Sequence, residues 1–233
     1  MLKVKIFTLY PDLFPGPLDS GIYKTARQRK IWDIDIINIR NYSTDKHKKV
    51  DDTPFGGGNG MLIRPDIIAK ALDKNINYKL KNRNIYLSPK GKVLNQDFCR
   101  TLSKEDNINI ICGHFEGVDQ RIIETRNIEE ISVGDFILSG GETASYVLLD
   151  SIIRLLPGVL GNKFSIDDES FEHNLLEYPQ FTKPQKWGKK EVPNVLLSGD
   201  HAKIKGWRLS QSEAITQRQR PDLWKKYLKK KNK

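Results

Sequence analysis

The stretch Ser132-Val133-Gly134-Asp135-Phe136-Ile137-Leu138-Ser139-Gly140-Gly141-Glu142 decides the fold of this chain, because it links the end of an apolar strand to a long apolar helix. Gly140 and Gly141 have no Cβ atom, so their backbone can lie flat against a ligand. We expect Ser139 and Glu142 to cap the helix that follows. A turn at the carboxyl end of a strand is typical of ligand-binding loops in open α/β sheets. An ordinary strand-to-helix turn has the same composition, so the stretch alone leaves both interpretations open.

Two segments upstream have the same pattern of a strand followed by a turn. One is residues 84–91, where a proline and a glycine are expected to end the strand, and the other is residues 108–117. The β-branched runs at 4–9 and 33–39 flank a predicted helix, which indicates a βαβ unit with parallel strands. The predicted helices span residues 19–29, 65–72, 95–102, 119–126, 143–156 and 200–217. The chain is therefore predicted to be α/β, with strand ends that converge on one ligand.

The predicted helix at residues 143–156 is apolar on nearly all sides, so we expect it to be buried or to cover an interface. Arg154 is its exception. A buried guanidinium group must be paired or must face a site, because an unpaired buried charge is costly. The sequence leaves open whether Arg154 serves a site or a structural ion pair.

The chain is basic, with 39 lysine and arginine residues against 29 aspartate and glutamate residues and a net charge of +10. This excess suits a polyanionic partner such as RNA or DNA, although solvated surface lysines would give the same composition. The lysine-rich tail at residues 229–233 is expected to be a frayed end.

The two cysteines, Cys99 and Cys112, lie in apolar runs and show no zinc-ligand spacing. We predict buried thiols in a reducing compartment and no metal site. The first residues lack the apolar core of a signal peptide, and no run approaches the roughly 18 apolar residues of a membrane span. The sequence therefore predicts a soluble, cytoplasmic protein without a membrane partner.

Residues 41–60 are polar and rich in glycine, without an apolar period, and predict a long loop. Its charged residues and His47 fit a loop that closes over RNA, but a mobile surface excursion fits equally well. Its glycine cluster does not match a dinucleotide fingerprint, because Met61 stands where the last glycine should be.

The change in composition after the long apolar helix predicts three parts. Residues 1–161 form the α/β domain, residues 162–175 a mobile linker, and residues 176–233 a small, mainly helical domain. The last part combines aromatic and basic residues, among them Trp187, Trp207, Trp224, Lys203 and Arg208. These suit RNA bases and phosphates, with Lys203 and Arg208 as candidate contacts. The tryptophans could equally form the core of the small domain.

Seven motifs occur in one order along nearly the whole chain. They are Asp51-Asp52-x-Pro54-Phe55-Gly56-Gly57-Gly58-x-Gly60-Met61, Leu87-Ser88-Pro89-x-Gly91, Cys112-Gly113-x-Phe115-Glu116-Gly117-x-Asp119-x-Arg121, Val133 to Glu142, Pro157-Gly158-Val159-Leu160-Gly161, Leu176-Glu177-Tyr178-Pro179 and Leu196-Leu197-Ser198-Gly199-x-His201. Each motif is weak alone, but the combination is highly specific. By this combination of motifs, the chain resembles the bacterial tRNA (guanine-N1)-methyltransferases of the SPOUT superfamily.

The resemblance implies a trefoil knot at the C-terminal end of the α/β domain, S-adenosylmethionine held in that knot, and a homodimer that binds tRNA. The residues that the resemblance assigns to the cofactor are Tyr86, Leu87, Ser88, Gly113, Phe115, Glu116, Gly117, Val133, Gly134, Asp135, Phe136, Ile137, Leu138, Gly140 and Gly141. They lie in the three turns identified above, so the two lines of reasoning agree.

The resemblance also implies methyl transfer to N1 of the guanosine at position 37 of tRNA, 3′ of the anticodon. That reaction needs a base at N1 and a cation or donor at O6. The family's arginine matches Arg154. Its aspartate base is replaced here by Glu169, one methylene longer, and Asp168 is the competing candidate if the register shifts.

Three other functions remain open from the sequence. The departure at Glu169 favours a SPOUT-fold RNA-binding protein without catalysis, and a methyltransferase acting on another RNA base is closer still to the pattern. A nicotinamide-dependent oxidoreductase is disfavoured, because no G-x-G-x-x-G follows a strand.

Overall fold

A computed structural model describes residues 1–58, 60–161 and 169–231 of the chain. The chain divides into two compact units, Met1–Gly161 and Asn162–Lys233. Residues 162–168 of the predicted linker lie outside the described residues, so the mobility of that linker stays a prediction.

The first unit is built on a parallel sheet. Its strands are β1 (Leu2–Thr8), β2 (Trp32–Asn38), β3 (Asp51–Asp52), β4 (Leu62–Ile63), β5 (Arg83–Val93), β6 (Asn107–Ile111) and β7 (Glu129–Ser132). Five of them form one sheet in the order β2-β1-β6-β5-β7, and every neighbouring pair is parallel. The predicted α/β fold with a parallel sheet is confirmed. Strands β3 and β4 form a separate antiparallel pair, which gives the predicted loop at residues 41–60 a short regular segment.

Helices cover both faces of this sheet. They are α1 (Gly21–Gln28), α2 (Pro65–Asn75), α3 (Gln96–Leu102), α4 (Gln120–Thr125) and α5 (Gly141–Ile153), with short 3₁₀ segments at Pro11–Leu13, Gly16–Asp19 and Ile39–Tyr42. Ile6 and Phe7 are consecutive in β1, so they point to opposite faces. Ile6 packs in a core with α1, α3 and α5, while Phe7 packs in a core with α2 and α4. Burial on both faces explains the continuous apolar runs of these strands.

Strand β5 differs from its prediction. The expected turn at Pro89 and Gly91 does not end the strand, which continues to Val93 with a register shift between Leu87 and Lys92. A Cβ atom on residue 91 would lie 2.3 Å from the backbone nitrogen of Ile131 in β7. The glycine therefore permits a close approach of two strands rather than a turn.

Helix α5 is buried along most of its length, as predicted, but its ends differ from the prediction. It ends at Ile153, with Arg154 as the C-cap. Gly140 occupies the N-cap position without a side-chain hydrogen bond, so the expected capping by Ser139 and Glu142 is wrong. The carboxyl group of Glu142 is instead buried and bonded elsewhere.

The second unit is mainly helical in its described part. Its elements are a 3₁₀ segment at Glu172–Asn174, β8 (Lys186–Trp187), β9 (Lys190–Glu191), α6 (Asn194–Leu197), α7 (His201–Gln219) and α8 (Pro221–Lys231). Asp200 caps α7, since its carboxylate accepts hydrogen bonds from the N–H groups of Ala202 and Lys203, both at 3.1 Å. The expectation of a frayed tail is wrong up to Lys231, which ends α8 and lies 2.9 Å from Glu213.

Candidate active site

A cavity of about 300 Å³ lies at the carboxyl ends of β5, β6 and β7, within the usual size range of small-molecule sites. Fourteen of the fifteen residues predicted for the cofactor line it, namely Tyr86, Leu87, Ser88, Gly113, Phe115, Glu116, Gly117, Val133, Gly134, Phe136, Ile137, Leu138, Gly140 and Gly141. Asp135 lies outside this lining. Residues of the three predicted segments therefore meet at one place, although the segment at 86–90 lies within β5 and not in a turn.

Glycines allow the segments that line this cavity to pack closely against their neighbours. A Cβ atom on Gly113 would lie 2.6 Å from the hydroxyl oxygen of Tyr86, and one on Gly141 would lie 2.7 Å from the Cα of Cys112. The N–H of Gly141 donates to the carbonyl oxygen of Gly113 at 2.9 Å, which joins two of the three loops. Burial raises the pKa of Tyr86 to about 12, so its hydroxyl keeps its proton at neutral pH.

Exposed apolar side chains surround the mouth of the cavity. Phe115, Phe136 and Leu138 are well exposed, and Ile137 is 80% exposed. Phe115 also adopts a positive φ of 60°, which is uncommon for an aromatic residue. Contiguous exposed apolar side chains mark ligand or protein contact surfaces. The mouth therefore has the character of a binding surface.

His114 and Glu142 bond each other beside the cavity, a contact that differs from the capping role predicted for Glu142 and that no sequence pattern indicated for His114. His114 Nε2 lies 2.7 Å from Glu142 Oε2, and the hydroxyl of Thr8 donates to Glu142 Oε1 at 2.5 Å. The imidazole ring also meets the ring of Tyr10 edge to face at 4.7 Å. Thr8 is 134 positions from Glu142, so no local pattern could have indicated this contact.

Both cysteines are buried free thiols, as predicted. Burial raises the pKa of Cys99, and burial together with the charge of Glu142 raises the pKa of Cys112 well above its ordinary value. Both groups therefore stay protonated at neutral pH and are unsuited to nucleophilic chemistry.

The two predicted catalytic residues do not line the cavity. Arg154 is half-buried at the end of α5, where its N–H donates to the carbonyl oxygen of Asp150. Its side chain lies near Tyr23. Burial raises the pKa of Tyr23 to about 12, and a hydrogen bond to Asp150 raises it further. The positive charge of Arg154 acts in the opposite direction and lowers this pKa. Glu169 is half-buried in the second unit, and the competing Asp168 lies outside the described residues.

The predicted RNA contacts are accessible to different degrees. His47 is exposed, and its N–H donates to Asp45 at 2.7 Å. On α7, the ammonium group of Lys203 is exposed and lies 3.1 Å from Asp200. Arg208 is half-buried, with its guanidinium carbon 4.7 Å from the centre of the Tyr178 ring.

Among residues 1–58, 60–161 and 169–231, no group of three or more His, Cys, Asp or Glu side chains is placed to hold a metal ion. No helix in the same ranges combines the length and the apolar composition needed to cross a membrane.

The parallel sheet and the cavity at its strand ends define an α/β protein with a cavity of the size and position typical of small-molecule sites. A comparison with known families narrows this class. The model of the family described as tRNA (Guanine-1)-methyltransferase TrmD matches residues 2–226. The chain belongs to this family. The family predicted from the motifs is confirmed, and so is the prediction of a methyltransferase.

Three relatives, each a tRNA (guanine-N(1)-)-methyltransferase, agree with this assignment. The protein of Pelagibacter ubique (strain HTCC1062) is 66% identical over 229 residues, which cover 98% of this chain and 100% of the relative. That of Chelativorans sp. (strain BNC1) is 50% identical, over 97% of this chain and 96% of the relative. The protein of Rhodospirillum rubrum is 47% identical, over 97% of this chain and 94% of the relative.

Proposed function

We propose that this chain transfers a methyl group from S-adenosylmethionine to N1 of the guanosine at position 37 of tRNA, on the 3′ side of the anticodon. The observation that carries the proposal is the cavity at the ends of β5, β6 and β7. Its lining includes fourteen of the fifteen residues that the family pattern assigns to the cofactor. The family match over residues 2–226 supplies the reaction class.

The residues of the cavity fit S-adenosylmethionine. Leu87, Ile131 and Leu138 offer apolar surface for a planar base, and the loops at 113–117 and 133–141 offer backbone donors and acceptors. The glycines leave space that a Cβ atom would fill. When bound, the cofactor supplies a methyl group on a positively charged sulfur. Glu116 in the lining provides a negative charge that favours a cationic ligand.

We propose that the end of the α/β domain forms the trefoil knot of the SPOUT superfamily. Two contacts support this. The end of β5 runs on along β7, where Val93 pairs with Ser132. After β7, the chain returns past β5 to β6, where the N–H of Gly141 bonds Gly113. A segment that crosses an extended strand end in this way is what threading requires.

The proposed chemistry assigns one role to each catalytic side chain. The carboxylate of Glu169 takes the proton from guanine N1 as the new N1–carbon bond forms. Negative charge grows on guanine O6, and the guanidinium group of Arg154 stabilises it. The bound cofactor would supply the methyl group and leave as S-adenosylhomocysteine, and Glu169 would hold the proton released from guanine N1.

We further propose that the enzyme works in the cytoplasm as a homodimer. Exposed apolar side chains on the first unit support the dimer, including Leu13 in the 3₁₀ segment Pro11–Leu13 and Val147 on α5. Residues 162–175 are proposed as a linker and residues 176–233 as a helical tRNA-binding domain.

Methyl transfer tests the proposed function directly. Labelled S-adenosylmethionine is incubated with unmodified tRNA, and the modified nucleoside is identified by digestion and mass spectrometry. We expect 1-methylguanosine with guanosine at position 37 and no product when adenosine replaces it. Methylation of another base would identify a different RNA specificity. Binding of both ligands without transfer would favour an RNA-binding protein.

We propose that His47, Lys203 and Arg208 contact tRNA. The stacked guanidinium of Arg208 suits a phosphate or a base, and its Nε atom is buried without a hydrogen-bond partner among the residues that the structure describes. Lys203→Ala is expected to weaken tRNA binding and to lower the slope of log affinity against log salt by about one. Arg208→Ala is expected to weaken binding at least as much. Fluorescence anisotropy with labelled tRNA over a salt series measures both.

Lys81 offers a matched control for Lys203, because it is also an exposed lysine paired with one carboxylate, that of Glu105 at 2.8 Å. Lys81→Ala is expected to leave tRNA affinity unchanged. Equal losses in the Lys81 and Lys203 variants would mean that only net charge matters, which contradicts a specific contact on α7.

A further inference from the structure

We propose that Thr8, Glu142 and His114 form a positioning network that holds the wall of the cofactor cavity and sets the affinity for the cofactor. The inference rests on the proposed function, because it concerns the same cavity. The three side chains come from three elements: the end of β1, the first turn of α5 and the loop after β6. Their hydrogen bonds join these elements beside the cavity.

The carboxyl group of Glu142 is the centre of this network. One oxygen accepts from the hydroxyl of Thr8 at 2.5 Å, and the other lies 2.7 Å from Nε2 of His114. Thr8 is fully buried and Glu142 is 3% exposed. A buried carboxyl group without partners is costly, so each of these two bonds contributes to keeping Glu142 in place. The N-terminus of α5 adds a favourable dipole.

The network touches the cavity wall at Gly140. A Cβ atom on residue 140 would lie 2.5 Å from Nε2 of His114 and 2.7 Å from Oε2 of Glu142. The bond between these two side chains therefore runs directly against the Gly140 backbone. His114 and Gly140 also form an antiparallel bridge, and both line the cavity. The bonded pair therefore blocks a shift of the loop at 139–141 toward His114 and Glu142.

Rigid placement of the wall should favour the cofactor, because a preformed site loses less conformational entropy on binding. Without the side-chain bond between His114 and Glu142, the loop keeps its backbone contacts with the segment after β6, the bond from Gly141 to Gly113 and the bridge between His114 and Gly140. We therefore expect the network to act on cofactor affinity more than on the chemical step. This separates a positioning role from general support of the fold.

The test compares isosteric and conservative variants of the full chain. Thr8→Val removes the hydroxyl and keeps the shape, whereas Thr8→Ser keeps the hydroxyl. His114→Phe keeps a ring against Tyr10 but cannot bond Glu142, whereas His114→Gln retains a polar amide. Calorimetry measures the Kd for S-adenosylhomocysteine, and steady-state kinetics measures KM for S-adenosylmethionine and kcat.

We expect Thr8→Val and His114→Phe to raise the Kd and KM about tenfold, as expected for losing a bond to a charged group, with kcat changed less than about twofold. Thr8→Ser should bind as the wild type does. Unchanged Kd values in the folded Val and Phe variants would overturn the inference. So would equal losses in Thr8→Val and Thr8→Ser, or a loss of thermal stability with no change in Kd.

If His114→Phe does not fold, the pair of Thr8 variants decides the question alone. Failure of wild-type protein to bind S-adenosylhomocysteine would overturn the proposed function and this inference together. That result is distinct from equal binding by wild type and variants, which would overturn the positioning network only.

Discussion

Glu169→Gln is expected to lower the rate of methyl transfer to tRNA by about 10²- to 10⁴-fold, the range typical of losing a general base. Glutamine has the length of glutamate but no carboxylate to take the N1 proton. The local backbone should survive the change, because the N–H of Phe171 donates to the carbonyl oxygen of Leu175 at 2.7 Å and the N–H of Glu177 donates to Ser170 at 3.0 Å. Single-turnover kinetics with saturating cofactor measures the chemical step.

Asp168→Asn is the matched control, since it neutralises the adjacent carboxylate. We expect it to retain most of the wild-type rate and both variants to bind S-adenosylhomocysteine normally. A dead Asp168→Asn together with an active Glu169→Gln would transfer the role of base to Asp168. If neither variant lost activity, the proposed proton transfer to this segment would be wrong.

The fold and the cavity were predictable where local signals decide the structure. Strands β2 and β6 are rich in isoleucine, and the parallel sheet follows from the helices between consecutive strands. The three loops lie at the carboxyl ends of neighbouring strands, because β5 pairs with both β6 and β7. The place of the cavity could therefore be inferred before any contact was seen.

The errors arose where contacts between distant residues decide the structure. Gly91 has the local character of a turn, yet its role is to let β7 approach β5, which only the folded sheet reveals. Glu142 stands where a capping residue should stand, but Thr8 and His114 bind its carboxyl group instead. Lys231 belongs to a run of charged residues, yet it ends α8 and contacts Glu213 and Tyr227.

Gly141→Ala is expected to destabilise the first unit and to abolish cofactor binding, although alanine is the better helix former. The new Cβ atom would lie 2.7 Å from the Cα of Cys112 and 3.0 Å from the backbone nitrogen of Gly113. Both obstacles are backbone atoms, so no side-chain rotation relieves the contact. Overpacking of this kind costs about 1–3 kcal/mol or more, which exceeds the gain of about 1 kcal/mol in helix propensity. The hydrogen bond from Gly141 to Gly113 would also be strained.

Gly206 in α7 has room for a side chain, unlike Gly141, because a Cβ atom there meets nothing within 4 Å. Gly206→Ala is therefore expected to raise the free energy of unfolding by up to about 1 kcal/mol and to leave the Kd for S-adenosylhomocysteine unchanged. Urea unfolding and calorimetry on both variants measure the two effects. Normal cofactor binding by Gly141→Ala would show that the loop at 139–141 can move away from β6. The tight backbone contact would then not be what shapes the cavity, and the role proposed for glycine at this position would be wrong.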